Sequence, residues 1–184
     1  MMLKQICNIE QSSFELLKNR IWEDASTLPK EAVIIDMNPG LAFGTGTHQT
    51  TDLCLQYLDQ NPPKNLTVID YGTGTGVLAI AAAKLGEKEV IAIDNGPQAV
   101  LATTNNIQTN HVDLLIANIL ANPLVGLCEH FSRRIKSGGK IVLSGILQDQ
   151  VEIILDTYGH YFLTLSVKQK GDWCCVDGIR KPQI

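Results

Sequence analysis

Two acids and three glycines carry the clearest chemistry in this chain. Asp70 closes a short apolar run through Val68 and Ile69, and Gly72, Gly74 and Gly76 alternate directly after it. β-Branched apolar residues in a row suit a buried parallel strand. Glycine has no Cβ, so the following turn can bend sharply and bring its backbone against a ligand. Residues 77–84 read Val-Leu-Ala-Ile-Ala-Ala-Ala-Lys, a strongly helical stretch, and Gly86 suits the position just past its end. Residues 90–93 form a second strand-like run closed by Asp94. Strand, glycine turn, helix and acid-terminated strand make one nucleotide-binding βαβ unit. Asp94 follows Gly72 by 22 residues, where such units place the carboxylate that accepts ribose hydroxyls.

The ligand class follows from what the turn lacks. The dinucleotide fingerprint G-x-G-x-x-G needs a glycine at position 77, where this chain has Val77. S-adenosylmethionine has no diphosphate to cradle, so that spacing is not required. Its amino group and sulfonium also suit a carboxylate at Asp70 better than a diphosphate would. The residues therefore favour S-adenosylmethionine over a nicotinamide dinucleotide. The plain alternative is a tight turn that holds nothing.

The elements around this unit alternate. Residues 12–24 suit an amphipathic helix with Phe14, Leu17 and Ile21 on one side, and residues 32–37 a short strand. Residues 38–51 then form a glycine- and threonine-rich loop around one Phe43 and one His48, leading into a helix at 52–58. Ordering such a loop costs entropy, which makes sense for a lid closing on a ligand. An ordinary polar linker is the other reading. Further on come a helix at 97–109, a strand at 111–117 ending at Asn118, a helix at 124–135, a turn at 137–139 and a strand at 141–144. A helix at 148–158 and two strands, 161–168 and 173–176, finish the chain. The pattern implies an α/β, doubly wound Rossmann-like sheet with an antiparallel final strand pair. Cys174 and Cys175 fall on opposite faces of the last strand, so one is expected buried and the other not.

Composition bounds the rest. The 184 residues fit one domain with a small extension, and 45% hydrophobic content is ordinary for a globular core. With a net charge of −4 and no basic tract, bulk nucleic-acid binding is disfavoured, while a basic partner such as a ribosomal protein is compatible. No apolar run reaches membrane-spanning length and no signal-peptide pattern opens the chain, so a cytoplasmic location is expected. Five cysteines without a C-x-x-C pair argue for reduced thiols, and nothing points to a metal.

Several of these segments together resemble one family. The loop 38–51, the stretch 68–82, Asn118-Ile119-Leu120-Ala121, Leu143-Ser144-Gly145-Ile146-Leu147 and Trp173-Cys174 are similar to the PrmA-type methyltransferases, which methylate amino groups of a large-subunit ribosomal protein, L11. The phrase Leu-Ala-Phe-Gly-Thr-Gly-Thr-His-Gln-Thr-Thr at 41–51 is far more specific than the glycine triplet, and the resemblance covers about residues 36–181. It implies a class I methyltransferase domain over 36–184, with residues 1–35 as a linker helix or extension.

Site roles follow from the same resemblance. It implies that Thr51 contacts the methionine part of S-adenosylmethionine, that Gly72 and Gly74 lie against the cofactor, and that Asp94 holds the ribose. It places Asn118 beside the transferring methyl group, and Phe43 and His48 on the lid, Phe43 shielding the methyl centre from water. Leu143 to Leu147 would line the pocket floor through close backbone approach at Gly145.

Methyl transfer from a sulfonium is an in-line displacement, so the protein chiefly positions the reactants. An asparagine is no base at neutral pH, which gives Asn118 an orienting role. His48 is the titratable group of the lid, and it reads equally well as a packing residue. Enzymes that methylate exocyclic base amines usually follow Asn or Asp with Pro-Pro and an aromatic. Here Ile119 and Leu120 follow, which favours an aliphatic amine.

Two departures keep other readings open. About 35 residues precede the lid, too few for an independent recognition core. The stretch between Asp94 and Asn118 holds one helix and one strand where the family fits two of each, so an edge strand of the sheet can be absent. A methyltransferase-like binding protein with weakened turnover, or an RNA or small-molecule methyltransferase on the same core, would share these features.

Overall fold

The computed structural model describes residue 35, residues 48–94 and residues 112–182. The helices expected at 12–24 and 97–109, all of the strand expected at 32–37 except Ile35, and the lid as far as Thr47 with Phe43 lie outside the described residues.

Helix α1 (Gln49–Gln60) leads to β1 (Thr67–Tyr71), α2 (Val77–Lys84) and β2 (Glu89–Ile93). Then follow β3 (Val112–Asn118), α3 (Ala121–Ser132), β4 (Ile135–Leu147), a single 3₁₀ turn (Gln148–Gln150), α4 (Val151–Gly159), β5 (Phe162–Lys170) and β6 (Trp173–Arg180). The six strands form one sheet in the order β2-β1-β3-β4-β6-β5. The β1–β2, β1–β3 and β3–β4 pairs are parallel, and β6 runs antiparallel to both β4 and β5. This is the expected doubly wound sheet with an antiparallel final pair, and β2 is its outer parallel strand among the described residues.

Strand alternation builds two cores. Ile69, Leu115, Ile141 and Leu143 pack with Leu124, Phe131 and Tyr158 of α3 and α4. Their chain neighbours Val68, Leu114, Ile116 and Val142 face the other way, onto Leu53 and Leu58 of α1 and Leu78 and Ala81 of α2. Successive strand residues point to opposite faces, and each face here carries helices, so the central strands are apolar throughout.

That covering corrects the cysteine expectation. Cys174 and Cys175 do face opposite sides, but both are buried, each in a different core cluster. The reading assumed a solvated face, and α1 closes it.

Several boundaries also differ, two of them for a clear reason. The glycine turn expected at 137–139 is an excursion inside β4: Val112 pairs with Ile135 and Leu114 already with Lys140, so extra residues bulge from β4 around Gly138. Helix α3 starts at Ala121 and stops at Ser132, because Ile135 is taken by the β3 pairing. Helix α2 keeps the expected bounds, with Gly86 at φ +95° just beyond its cap.

Candidate active site

The carboxyl ends of β1, β2 and β3 converge on the glycine turn. Gly72, Gly74 and Gly76 have φ of +77°, +52° and +82°, a region side chains rarely enter. The amides of Gly72 and Thr73 both donate to the Ile93 carbonyl, at 2.8 and 2.9 Å. This double bond ties the turn to the end of β2 and brings Asp94 over it. Asp94 Oδ2 then accepts from the Gly74 amide at 2.7 Å. The two expected cofactor elements, glycine turn and acid, are thus joined directly, with the Asp94 carboxylate exposed to solvent.

Asp70 lies beneath the turn, 1% exposed. Its Oδ2 accepts from Thr73 Oγ1 at 2.7 Å and from the Ala79 amide at 3.0 Å. It therefore satisfies an amide in the first turn of α2, whose N-cap Gly76 has no side chain to do so. Its Oδ1 is buried without a hydrogen-bond partner. Burial pushes the carboxyl up to about 6; the bonds from Thr73 and Ala79 pull it back and nearby Asp94 pushes it further.

Across the crevice, β3 ends at Asn118 and α1 begins. Asn118 Nδ2 donates to Thr51 Oγ1 at 3.2 Å, joining two residues 67 positions apart. Beside them Ser144 Oγ donates to the Thr50 carbonyl at 3.0 Å and fixes the start of α1 on β4. Gly145, at φ +86°, has no room for a side chain: a Cβ there would meet the Ile119 carbonyl oxygen at 2.3 Å. The backbone approach expected at Gly145 is thus onto the strand end that carries Asn118. Ile119 in turn covers Gly72, where a Cβ would lie 2.5 Å from its Cγ2.

His48 resolves toward packing. It caps α1: its Nδ1 accepts from the Thr50 amide at 3.4 Å and lies 2.8 Å from Thr50 Oγ1. Its ring meets Trp173 edge-on with centroids 5.2 Å apart. Below this, a hydrogen bond with Cys175 and burial push the Cys54 thiol well above its ordinary range, so this thiol is no nucleophile. The described cysteines Cys54, Cys128, Cys174 and Cys175 are all free. No group of three metal-ligating side chains occurs among the described residues.

Sequence did not single out Thr73, nor the bond of Ser144 to Thr50 or the cover of Ile119 over Gly72. Thr73 was legible in principle, three residues past Asp70. The Ser144–Thr50 bond, between residues 94 positions apart, had no local signal.

The crevice lies between β1 and β3, where the chain order of the sheet reverses, the usual ligand position of open α/β sheets. The residues fit an adenosyl cofactor with a cationic end: a glycine turn at positive φ, an acid at the second strand end, and a buried carboxylate oxygen with no partner. Fold and crevice together define a class I, Rossmann-like methyltransferase domain.

The chain belongs to the ribosomal protein L11 methyltransferase (PrmA) family, whose model matches residues 11–181. A ribosomal protein L11 methyltransferase of Cupriavidus taiwanensis is 40% identical over 192 aligned positions, covering 94% of this chain and 65% of the relative. One from Legionella pneumophila is 43% identical, covering 84% of this chain and 61% of the relative. A crystal structure of ribosomal protein L11 methylase from Lactobacillus delbrueckii subsp. bulgaricus superposes with a TM-score of 0.74 at 33% identity, covering 88% of this chain and 92% of that one. The chain thus spans less than two thirds of the length of these two curated relatives. The 192 aligned positions also exceed the residues this chain contributes, so the Cupriavidus protein carries residues inside the matched span that this chain lacks. No helix among the described residues is long and apolar enough to cross a membrane.

Proposed function

We propose that this chain is an S-adenosylmethionine-dependent N-methyltransferase acting on amino groups of ribosomal protein L11. The observation that carries the reading is the Thr51–Asn118 contact at 3.2 Å, set at the carboxyl end of β3 beside the glycine turn. With Nδ2 engaged by Thr51, Oδ1 is the end of the Asn118 amide left to accept from a substrate amine and align its lone pair.

The bound cofactor supplies an electrophilic methyl group on a sulfonium. The chain's own residues position and shield. Gly72 and Gly74 present backbone to the cofactor, Asp94 accepts from its ribose, and Thr51 contacts its methionine part. The unpartnered Oδ1 of Asp70 would be the acceptor offered to its cationic end. Phe43, on the lid, excludes water, in keeping with the family resemblance. A lysine amine has a reference pKa of about 10.4 and attacks only when neutral, so a dry pocket promotes the reactive form. Ile119 and Leu120, in place of a proline pair and an aromatic, suit an aliphatic amine over a stacked base.

We read residues 36–184 as the transferase domain and residues 1–35 as its linker or extension. Location in the cytoplasm, where ribosomal proteins are made, follows from the same reading.

The test is calorimetric titration with S-adenosylmethionine and S-adenosylhomocysteine, followed by incubation with purified ribosomal protein L11 and intact-mass analysis. Micromolar binding of both and methyl mass gain on L11 is the expected result. Absence of binding to either compound would remove the cofactor assignment, and binding without methyl gain on L11 would remove the substrate.

A further inference from the structure

The turn between β5 and β6 reaches the site from outside and grips the first turn of α1. Lys170 Nζ lies 2.6 Å from Asp52 Oδ2, on the residue directly after Thr51. Gly171, at φ +59°, lies against the exposed end of the Gln49 side chain, whose Oε1 is 2.6 Å from where a Cβ would sit. Trp173 packs edge-on against His48, the cap of α1. These contacts bracket Thr51 on both sides, yet none of them touches the crevice.

We propose that Lys170 is a positioning residue for the Thr51–Asn118 pair, a role that rests on the function proposed above. The Thr51–Asn118 bond is a single neutral hydrogen bond of 3.2 Å. Such a bond weakens steeply with stretching or misalignment, so a shift of α1 by roughly 1 Å is enough to lose it. At its far end α1 is held by a separate contact, Lys168 Nζ to Gln60 Oε1 at 2.5 Å. Lys170 therefore adds an outer hold on the helix start, beside the buried Ser144 bond to the Thr50 carbonyl, and Lys168 adds one at its end.

Removing Lys170 leaves the fold intact. Asp52 sits in the first turn of α1, where the helix dipole favours a carboxylate, and Gln56 Nε2 still donates to its Oδ2 at 2.6 Å. A partly exposed ion pair contributes little to global stability. Its effect is to be sought in the site's geometry.

The experiment compares Lys170→Met, Lys168→Met and the conservative Lys170→Arg. The first readout is the Asn118 side-chain amide resonance by NMR in the free chain; the second is turnover and KM for methylation of L11. Lys170→Met is expected to move the Asn118 resonance and to lower kcat by about tenfold, within the loss that misplacement of a positioned group produces. Lys168→Met is expected to leave both unchanged, and Lys170→Arg, which keeps the cation, to retain both. An Asn118 resonance unmoved by Lys170→Met overturns the proposal, as does an equal effect of Lys168→Met. If the parent chain methylates nothing, the proposed function falls and the NMR comparison alone decides the role of Lys170.

Discussion

Asp70 turns the electrostatics of the glycine turn into a measurable pH dependence. Its folded pKa is about 6, raised chiefly by burial, against about 3.9 in an unfolded chain. Between those values the folded state holds a proton that the unfolded state has released, so stability falls as pH rises. The contribution is fully present below about pH 4 and is lost as pH passes through about 6. Two pKa units at about 1.36 kcal/mol each give a loss of about 3 kcal/mol over that window. Other groups titrate nearby: burial pushes Asp113 up, but Lys136 and the Thr67 amide overcome it and hold the carboxyl below its ordinary value, which has the opposite sign. The comparison that isolates Asp70 is with Asp70→Asn, which keeps an oxygen for Thr73 and Ala79 but cannot ionise. Urea unfolding at a series of pH values yields the difference in stability between parent and variant. That difference should shift by about 3 kcal/mol between pH 3 and pH 7, in favour of the variant at the higher pH. Parallel curves for the two proteins would refute the account. With saturating S-adenosylmethionine the shift should shrink, because a cationic group at Oδ1 favours the ionised form.

Other substitutions address single contacts. Gly145→Ala combines a φ of +86° with a Cβ 2.3 Å from the Ile119 carbonyl oxygen, and should cost about 2–4 kcal/mol by urea unfolding; a cost under about 1 kcal/mol would mean the strand ends yield easily. Asp94→Ala should weaken S-adenosylmethionine binding by at most about 1.5–3 kcal/mol per lost hydrogen bond, and unchanged affinity by calorimetry would end the ribose assignment. Asn118→Ala should lower turnover far more than cofactor affinity; equal losses of both would count against orientation of the amine.

Local order was legible where neighbouring residues enforce it. The β1–α2–β2 unit stands as read, because β-branched runs, a glycine turn and an alanine-rich helix each specify themselves within a few residues. Joints made by distant segments left no local trace. Nothing near Thr51 announces Asn118, and nothing near Asp52 announces Lys170, 118 positions away. The errors share that cause. The sequence marks Ser137-Gly138-Gly139 as flexible, but only the pairing of Val112 with Ile135 makes it a bulge inside a strand. Likewise Cys175 is buried because α1 packs over it, which no pattern around residue 175 records.

The structure also supplies a physical reason for preferring S-adenosylmethionine to a dinucleotide, beyond Val77 and the charge of Asp70. A diphosphate binds at a helix N-terminus through free amides and the positive end of the dipole. In α2 the Ala79 amide is already taken by the Asp70 carboxylate, so an anion there would lose that donor and meet a buried acid. Val77 is 6% exposed and packed in the core with α1, which anchors the first turn of α2 from below. The same acid that repels a diphosphate has one oxygen without a partner. A ligand with a cationic group at this end removes the cost of that buried oxygen, whereas an anionic one adds to it.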